Sequence, residues 1–318
     1  MNNINGLDQV LEGVSTVAIS GHVRPDGDCV GSTLAVYNYI KDNYEAIDVR
    51  LYLEPIPNIF KFLRYSSEII NECTDENIFD LFIALDCSDK NRLGNAAKYF
   101  ENAKKTVCID HHVSNVSFAE NNYIFPDASS TCELVYELIG RDKLTKEIAE
   151  CLYTGMVHDT GVFQYSCTSA KTMNIGGILM ESGIDYSKIV DETFYTKTFN
   201  QNKILGKALL KSELYLDGKV ILSCITQKEM EEFDVLPKHL DGIVNQLRVT
   251  KDVEVAVFIY ENEDGSYKVS TRANGNVDLA VLAQHFKGGG HVKAAGFTMY
   301  GKPEEFIPEI LAEIEKQL

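Results

Sequence analysis

His22, Asp26 and Asp28 stand in GHVRPDGDCVGS with the spacing H-x-x-x-D-x-D. Asp86 follows in LDCSD, Asp110, His111 and His112 in TVCIDHH, and Asp159 in GMVHDTGVF. Carboxylates gathered in this number repel one another unless positive charge sits among them, and burying them unpaired is expensive. Such a donor set is rich in oxygen, holds a little imidazole and includes no cysteine at ligand spacing. It suits Mn²⁺ or Mg²⁺ better than structural zinc. There are more donors than one ion needs. Two ions about 3.5–4 Å apart would use them all, polarising a water and clamping the attacking and leaving oxygens of an in-line displacement. The residues therefore point to a two-metal phosphoesterase.

A second constellation lies near the C-terminus, where Gly288, Gly289, Gly290 and His291 precede Val292-Lys293-Ala294-Ala295-Gly296. Three glycines allow a ligand close to the backbone and can present N–H groups as an anion nest. His291, Lys293 and the Arg272 of VSTRA add donors for phosphate. The spacing is not that of a P-loop, and no G-x-S-x-G elbow occurs, so an ATPase and a serine hydrolase are both unsupported. His158 reads as a helix residue or an outer partner of Asp159. Ser129, Ser130 and Thr131 fit as the cap of the following helix.

These side chains need a frame. Ser15–Ser20, Asp48–Leu53, Leu81–Leu85 and Thr106–Ile109 read as short buried strands. They alternate with helices expected at Gly27–Ile40, Ser130–Ile139, Thr145–His158 and Ala170–Glu181. That order gives an α/β fold with a mainly parallel sheet, whose ligands bind beyond the carboxyl ends of the strands. His22, Asp86 and Asp110–His112 all directly follow strands. From about residue 190 the pattern changes. A helix over Asn200–Leu214 is expected to connect two parts. Two Asp-Gly hairpins come next, in YLDGKVILSCI and EVAVFIYENEDGSYKVSTRA. Helices are expected near Gln227–Phe233, Asp241–Arg248, Val277–Phe286 and Pro303–Lys316. The expected division is a catalytic domain over 1–190, a linker helix over 191–212 and a smaller α+β domain over 213–318, with the active-site cleft between the two domains.

Composition bounds the partners. The 318 residues carry 30 Lys and Arg against 47 Asp and Glu, a net charge of −17. A binder of long nucleic acid places many cations on phosphates, and no basic run is present to do so. The longest stretch free of Asp, Glu, Lys and Arg, Cys29–Ile40, is too short for the roughly 20 apolar residues of a membrane span. The N-terminal residues lack the pattern of a signal peptide, so a cytoplasmic location is expected. The eight cysteines form no C-x-x-C pair and read as reduced thiols, most of them in the core.

Taken together, GHVRPDGDCVGS, LDCSDKNRLG, DHHVSN, SSTCELVYELI, YTGMVHDTGVFQYS and GGGHVKAAGF resemble the DHH phosphoesterase family. More closely, they resemble its stand-alone bacterial oligoribonuclease branch, which also acts as a phosphatase on adenosine 3',5'-bisphosphate. The likeness runs in order from His22 to Phe297. It implies that His22 and Asp26 hold one metal, that Asp28, His111 and Asp159 hold the other, and that Asp86 bridges them. It further implies that Asp110 orients its neighbouring histidine, and that His112 contacts the scissile phosphate and helps protonate the leaving oxygen. Arg272 and Gly288–His291 would hold the rest of the substrate. The implied cofactor is a pair of Mn²⁺ ions, with Mg²⁺ or Co²⁺ as substitutes. The implied substrates are short RNA oligonucleotides and nucleotide bisphosphates, and the implied assembly is a homodimer. Linear dinucleotides from cyclic dinucleotide turnover fit the same chemistry. A non-catalytic nucleotide sensor is the rival from another class, but a sensor has no need of a complete metal set.

Overall fold

In the computed structural model, which describes residues 5–318, the chain divides after Thr196 into two units. The first is built on five parallel strands in the order β2-β1-β3-β4-β5: β1 (Thr16–Ser20), β2 (Asp48–Tyr52), β3 (Leu81–Leu85), β4 (Thr106–Asp110) and β5 (Asn121–Ile124). Helices cover both faces of such a sheet, and every residue of β3 is buried accordingly. One face packs against a core that includes Leu34, Val36, Leu134 and Leu152. The other packs against a smaller aromatic cluster of Tyr52, Phe79, Phe82 and Tyr99. Strand β5 escaped the sequence reading. Its residues, NNYI, are half-buried at the sheet edge and lack an apolar run.

The register fixes where chemistry can occur. Ser20 pairs with Ala84, and Leu85 with Ile109, so β1, β3 and β4 end side by side. The residues just beyond these strands must emerge along one line. The helix Gly27–Asn43 starts there because the Asp26 carboxylate accepts from the Asp28 and Cys29 N–H groups, an N-cap. It is buried from Gly27 to Ile40, which explains its lack of a polar face. The helices Thr131–Ile139 and Lys146–Thr160 are capped by Ser130 and Thr145, and Ala170–Glu181 by Ser169.

The second unit carries a six-stranded mixed sheet in the order β10-β11-β9-β8-β7-β6: β6 (Glu213–Tyr215), β7 (Val220–Ile225), β8 (Val255–Glu261), β9 (Tyr267–Ala273), β10 (Gly289–His291) and β11 (Ala294–Met299). Only the β7–β8 pair is parallel. Both Asp-Gly turns join strands as expected. Leu216, Asp217 and Gly218 all take positive φ in the first, and Gly265 does in the second. The helix expected over Asn200–Leu214 spans Phe199–Leu210 instead, since Leu214 is drawn into β6 by its hairpin. It buries Ile204 and Ala208 with Ile221, Val244 and Phe258 of the second unit. On the other sheet face, Val255, Val257, Val269 and Phe297 pack with the helices Leu279–His285 and Pro303–Glu315.

Among the described residues all eight cysteines are free thiols, and no helix is long and apolar enough to cross a membrane.

Candidate active site

Three strand ends, one helix start and one helix end meet in the first unit. His22 follows β1, Asp86 follows β3, and Asp110, His111 and His112 close β4. Asp28 lies in the first turn of Gly27–Asn43, and Asp159 in the last turn of Lys146–Thr160. Asp86 takes a left-handed backbone, φ 53°. A non-glycine residue held there stores strain, a common mark of functional sites. Val162 and Phe163, just past Asp159, also have positive φ.

The imidazoles are oriented by the backbone. His22 Nδ1 lies 2.9 Å from the Val23 carbonyl and His111 Nδ1 3.3 Å from that of Ala128. With those nitrogens donating, each Nε2 is left as a lone-pair donor, the arrangement usual in metal-ligating histidines. His22 Nε2 stands 3.4 Å from Asp86 and 3.5 Å from Asp26. His111 Nε2 stands 3.0 Å from Asp159, 3.8 Å from Asp86 and 3.9 Å from Asp28. Most of these separations exceed a hydrogen bond. The donors face one another across gaps. Asp28, His111 and Asp159 form one group able to hold a cation, and Asp86, His111 and His112 another. A third group joins His22 and Asp86 to Cys29. The helix start folds Cys29 back against Gly21, at a spacing with no metal signature. Burial and the nearby carboxylates push its thiol well up, which favours the protonated form.

Electrostatics supply the test of fit. Asp26, Asp28, Asp86 and Asp159 make no ion pair with any Lys or Arg among the described residues. Burial pushes the Asp28 carboxyl well up, and the Asp86 and Asp159 charges push it further. Burial raises Asp159 to about 6, with His111 opposing and Asp86 and Asp26 assisting. Burial disfavours a charged His22, yet Asp26 and Asp86 outweigh it and raise the imidazole to about 10. His111 reaches about 10 in the same way through Asp159 and Asp28. The cluster thus binds protons where it lacks cations. Divalent ions would displace them and reverse the local sign. The residues fit a metal centre.

Supporting contacts escaped the sequence reading because each crosses the fold. Asp28 accepts from the Thr131 N–H at 2.6 Å and the Cys132 N–H at 2.9 Å, at the start of Thr131–Ile139. The Thr131 hydroxyl also donates to Asp86 at 3.2 Å. Ser130 is the cap expected of it, but Thr131 therefore belongs to the site. Asp110 is fully buried, lies 2.7 Å from His112 Nδ1 and accepts from the Asn115 amide at 2.6 Å. His158 stands outside the cluster, packed against Gly27 and 3.0 Å from the Thr193 hydroxyl.

In the second unit, Arg272 is steered by Asn245, whose side-chain oxygen accepts from Nε at 3.1 Å. The glycine triad differs from the expected nest. Gly289–His291 is a strand, paired Gly289 to Gly296 and His291 to Ala294. Extended backbone turns successive N–H groups to opposite edges, so no nest forms. Side chains are excluded at two positions. A Cβ on Gly288 would meet the Gly296 carbonyl at 2.3 Å, and Gly290 combines φ 147° with a Cβ position 2.5 Å from the Ala294 carbonyl.

Parallel-sheet frame and carboxylate cluster together define a metal-dependent phosphoesterase of the DHH family. The chain belongs to that family: residues 16–156 match the DHH family N-terminal domain and residues 217–318 the DHHA1 domain. Among curated proteins, it is 29% identical to the bifunctional oligoribonuclease and PAP phosphatase NrnA of Bacillus subtilis, over 94% of each chain. It is 28% identical to the protein of the same name from Thermus thermophilus, over 98% of this chain and 93% of that one. Among solved structures, an exopolyphosphatase-related protein from Bacteroides fragilis superposes with a TM-score of 0.91 at 28% identity, over 98% of this chain and 94% of that one.

Proposed function

We propose that this protein is a Mn²⁺-dependent hydrolase. It would release 5'-mononucleotides from very short oligoribonucleotides and remove the 3'-phosphate from adenosine 3',5'-bisphosphate. The observation that carries this reading is the set of four carboxylates facing two backbone-oriented imidazoles with no Lys or Arg ion pair among the described residues. The names of the Bacillus and Thermus relatives support the substrate class. Oxygen-rich donors with a little imidazole suit Mn²⁺ or Mg²⁺ better than structural zinc.

In this reading His22 and Asp26 would hold one ion, Asp28, His111 and Asp159 the other, and Asp86 would serve both. Bound divalent ions polarise water and phosphoryl oxygens and stabilise the charge of an in-line displacement. The remaining work falls to side chains. Asp110, tied to Asn115, holds His112 by Nδ1. Burial opposes charge on His112, but Asp110 and Asp86 outweigh it and raise the imidazole, so that the protonated ring would donate a hydrogen bond or proton from Nε2 to the leaving oxygen. Arg272 offers a planar fork to a second phosphate, and Gly288, Gly289, Gly290 and His291 let a nucleotide lie close to the strand backbone. The acidic remainder of the chain disfavours long polyanions. The test is to incubate the protein with Mn²⁺ and RNAs of two to five nucleotides, and separately with adenosine 3',5'-bisphosphate. Mononucleotide and AMP should appear, and chelation should stop both. No product from either substrate would refute the reading.

A further inference from the structure

Along β9, alternate residues face opposite sides of the sheet. Val269, Thr271 and Ala273 are buried, while Lys268, Ser270 and Arg272 share the other face. Register continues that face across the neighbouring strands, with Lys268 opposite Thr298, Ser270 opposite Gly296 and Arg272 opposite Ala294. Gly296 leads on to Gly289, and Ala294 to His291. On the β11 side, side chains are therefore small or absent beside the three polar donors, while on the β8 side Ala256, Phe258 and Tyr260 stand opposite Arg272, Ser270 and Lys268.

Lys268 lies over the bare stripe, its Nζ 3.7 Å from where a Gly296 Cβ would be. It makes no ion pair among the described residues. The adjoining depression, of about 810 Å³, includes Lys268, His285 and Lys287 in its wall but no Asp or Glu. Tyr300, 76% exposed, stands at its rim, where a base can stack. Residues two apart on an antiparallel strand are about 7 Å apart, so Lys268 lies about twice that distance from Arg272. Flexible lysine and arginine side chains can span the interval between successive phosphates of a nucleotide chain from those positions.

We propose that this face is a two-phosphate track in which Lys268 takes the phosphate one nucleotide beyond the phosphate held by Arg272. Resting on the oligonucleotide reading above, this makes Lys268 the residue that separates oligonucleotides from bisphosphates. A 5'-phosphorylated trinucleotide carries a third phosphate for it, and adenosine 3',5'-bisphosphate does not.

The test measures equilibrium binding of both ligands to the full chain with Mn²⁺ chelated, in wild type, Lys268→Gln and Lys268→Arg. Lys268→Gln should weaken the trinucleotide about fivefold or more and leave the bisphosphate within about twofold, and Lys268→Arg should keep most of the affinity. The slope of log affinity against log salt should fall by about 0.7 for the trinucleotide alone, the value of one single-strand phosphate contact. Replacing the third phosphate by an uncharged methylphosphonate should reproduce the loss in wild type and add nothing in Lys268→Gln. Unchanged trinucleotide binding, or equal weakening of both ligands, overturns the track. Binding with this pattern but no turnover in Mn²⁺ would keep the track and refute the hydrolase. Turnover with a silent Lys268→Gln would do the reverse, and binding of neither ligand would refute both.

Discussion

The first unit gathers five carboxylates and three imidazoles where β1, β3 and β4 end, whereas the second clears a strip of sheet with glycines and sets lysine and arginine beside it. In the proposed reading both receive anionic ligands, by opposite means. In the first, negative charge is concentrated at the cost of burial so that divalent cations are required. In the second, cations belong to the chain, and what matters is the absence of side chains and acids between them. The first device depends on individual atoms, the second on strand register, and perturbations should sort accordingly.

The largest effect is expected at Asp86, which faces His22, His111 and His112 and takes a hydrogen bond from Thr131. Losing an outer partner of a metal ligand typically costs 10–100-fold. Asp86→Ala removes a donor from two of the candidate metal groups and should cost more than that in turnover. It should also reduce the Mn²⁺ stoichiometry measured by titration. A mild loss with full Mn²⁺ binding would mean that the carboxylates are not the centre.

Next in size is Gly288. Its missing Cβ position lies 2.3 Å from a backbone carbonyl that cannot move aside cheaply, so Gly288→Ala should displace β10 from β11. Overpacking of this kind costs about 1–3 kcal/mol. Thermal melts should show the loss, and KM should rise while Mn²⁺ binding by the first unit stays unchanged. Gly289→Ala is the control, since nothing lies within 4 Å of its Cβ position, and its melt should match wild type within about 0.5 kcal/mol. Equal behaviour of the two would deny that the glycines serve strand packing.

The same contrast explains what could be read from the chain alone. Strands β1, β3 and β4 are apolar runs that end in polar residues, so His22, Asp86 and Asp110–His112 could be placed on one sheet edge without coordinates. Asn115 and Thr131 could not. An asparagine after a strand and a threonine in a helical first turn carry no mark of the carboxylate each will meet across the fold. Cys29 is invisible to motif spacing because helix geometry alone returns it to His22. In the second unit Ala294–Met299 opens on Ala-Ala-Gly, residues depleted in strands, so the glycine triad reads as a loop and Lys268 has no visible neighbour. Register is a pairing property, and a single sequence does not display it.

The smallest effect should arise at Glu133, behind the cluster. It is 2% exposed and accepts from the Ser129 hydroxyl at 2.6 Å and the Thr172 hydroxyl at 2.7 Å, with Lys171 at 3.2 Å. Burial raises its carboxyl, but those three partners outweigh burial and hold it below the ordinary glutamate range. A carboxyl lowered by folding stabilises the protein above the ordinary range, and that stabilisation is lost as pH falls through the folded-state value. Wild type should therefore lose melting temperature on acidification below that range more steeply than Glu133→Gln. At neutral pH the substitution should cost about 1.5–3 kcal/mol of stability, the scale of a hydrogen bond to a charged group. Mn²⁺ binding and trinucleotide affinity should not change. Glu133 ties Ser129, just ahead of the Thr131–Ile139 helix, to Thr172 of the helix Ala170–Glu181 without touching a metal-facing atom. If Glu133→Gln reduced Mn²⁺ affinity as Asp86→Ala does, the carboxylates of the first unit would form one cooperative network, and the division between ligands and frame would fail.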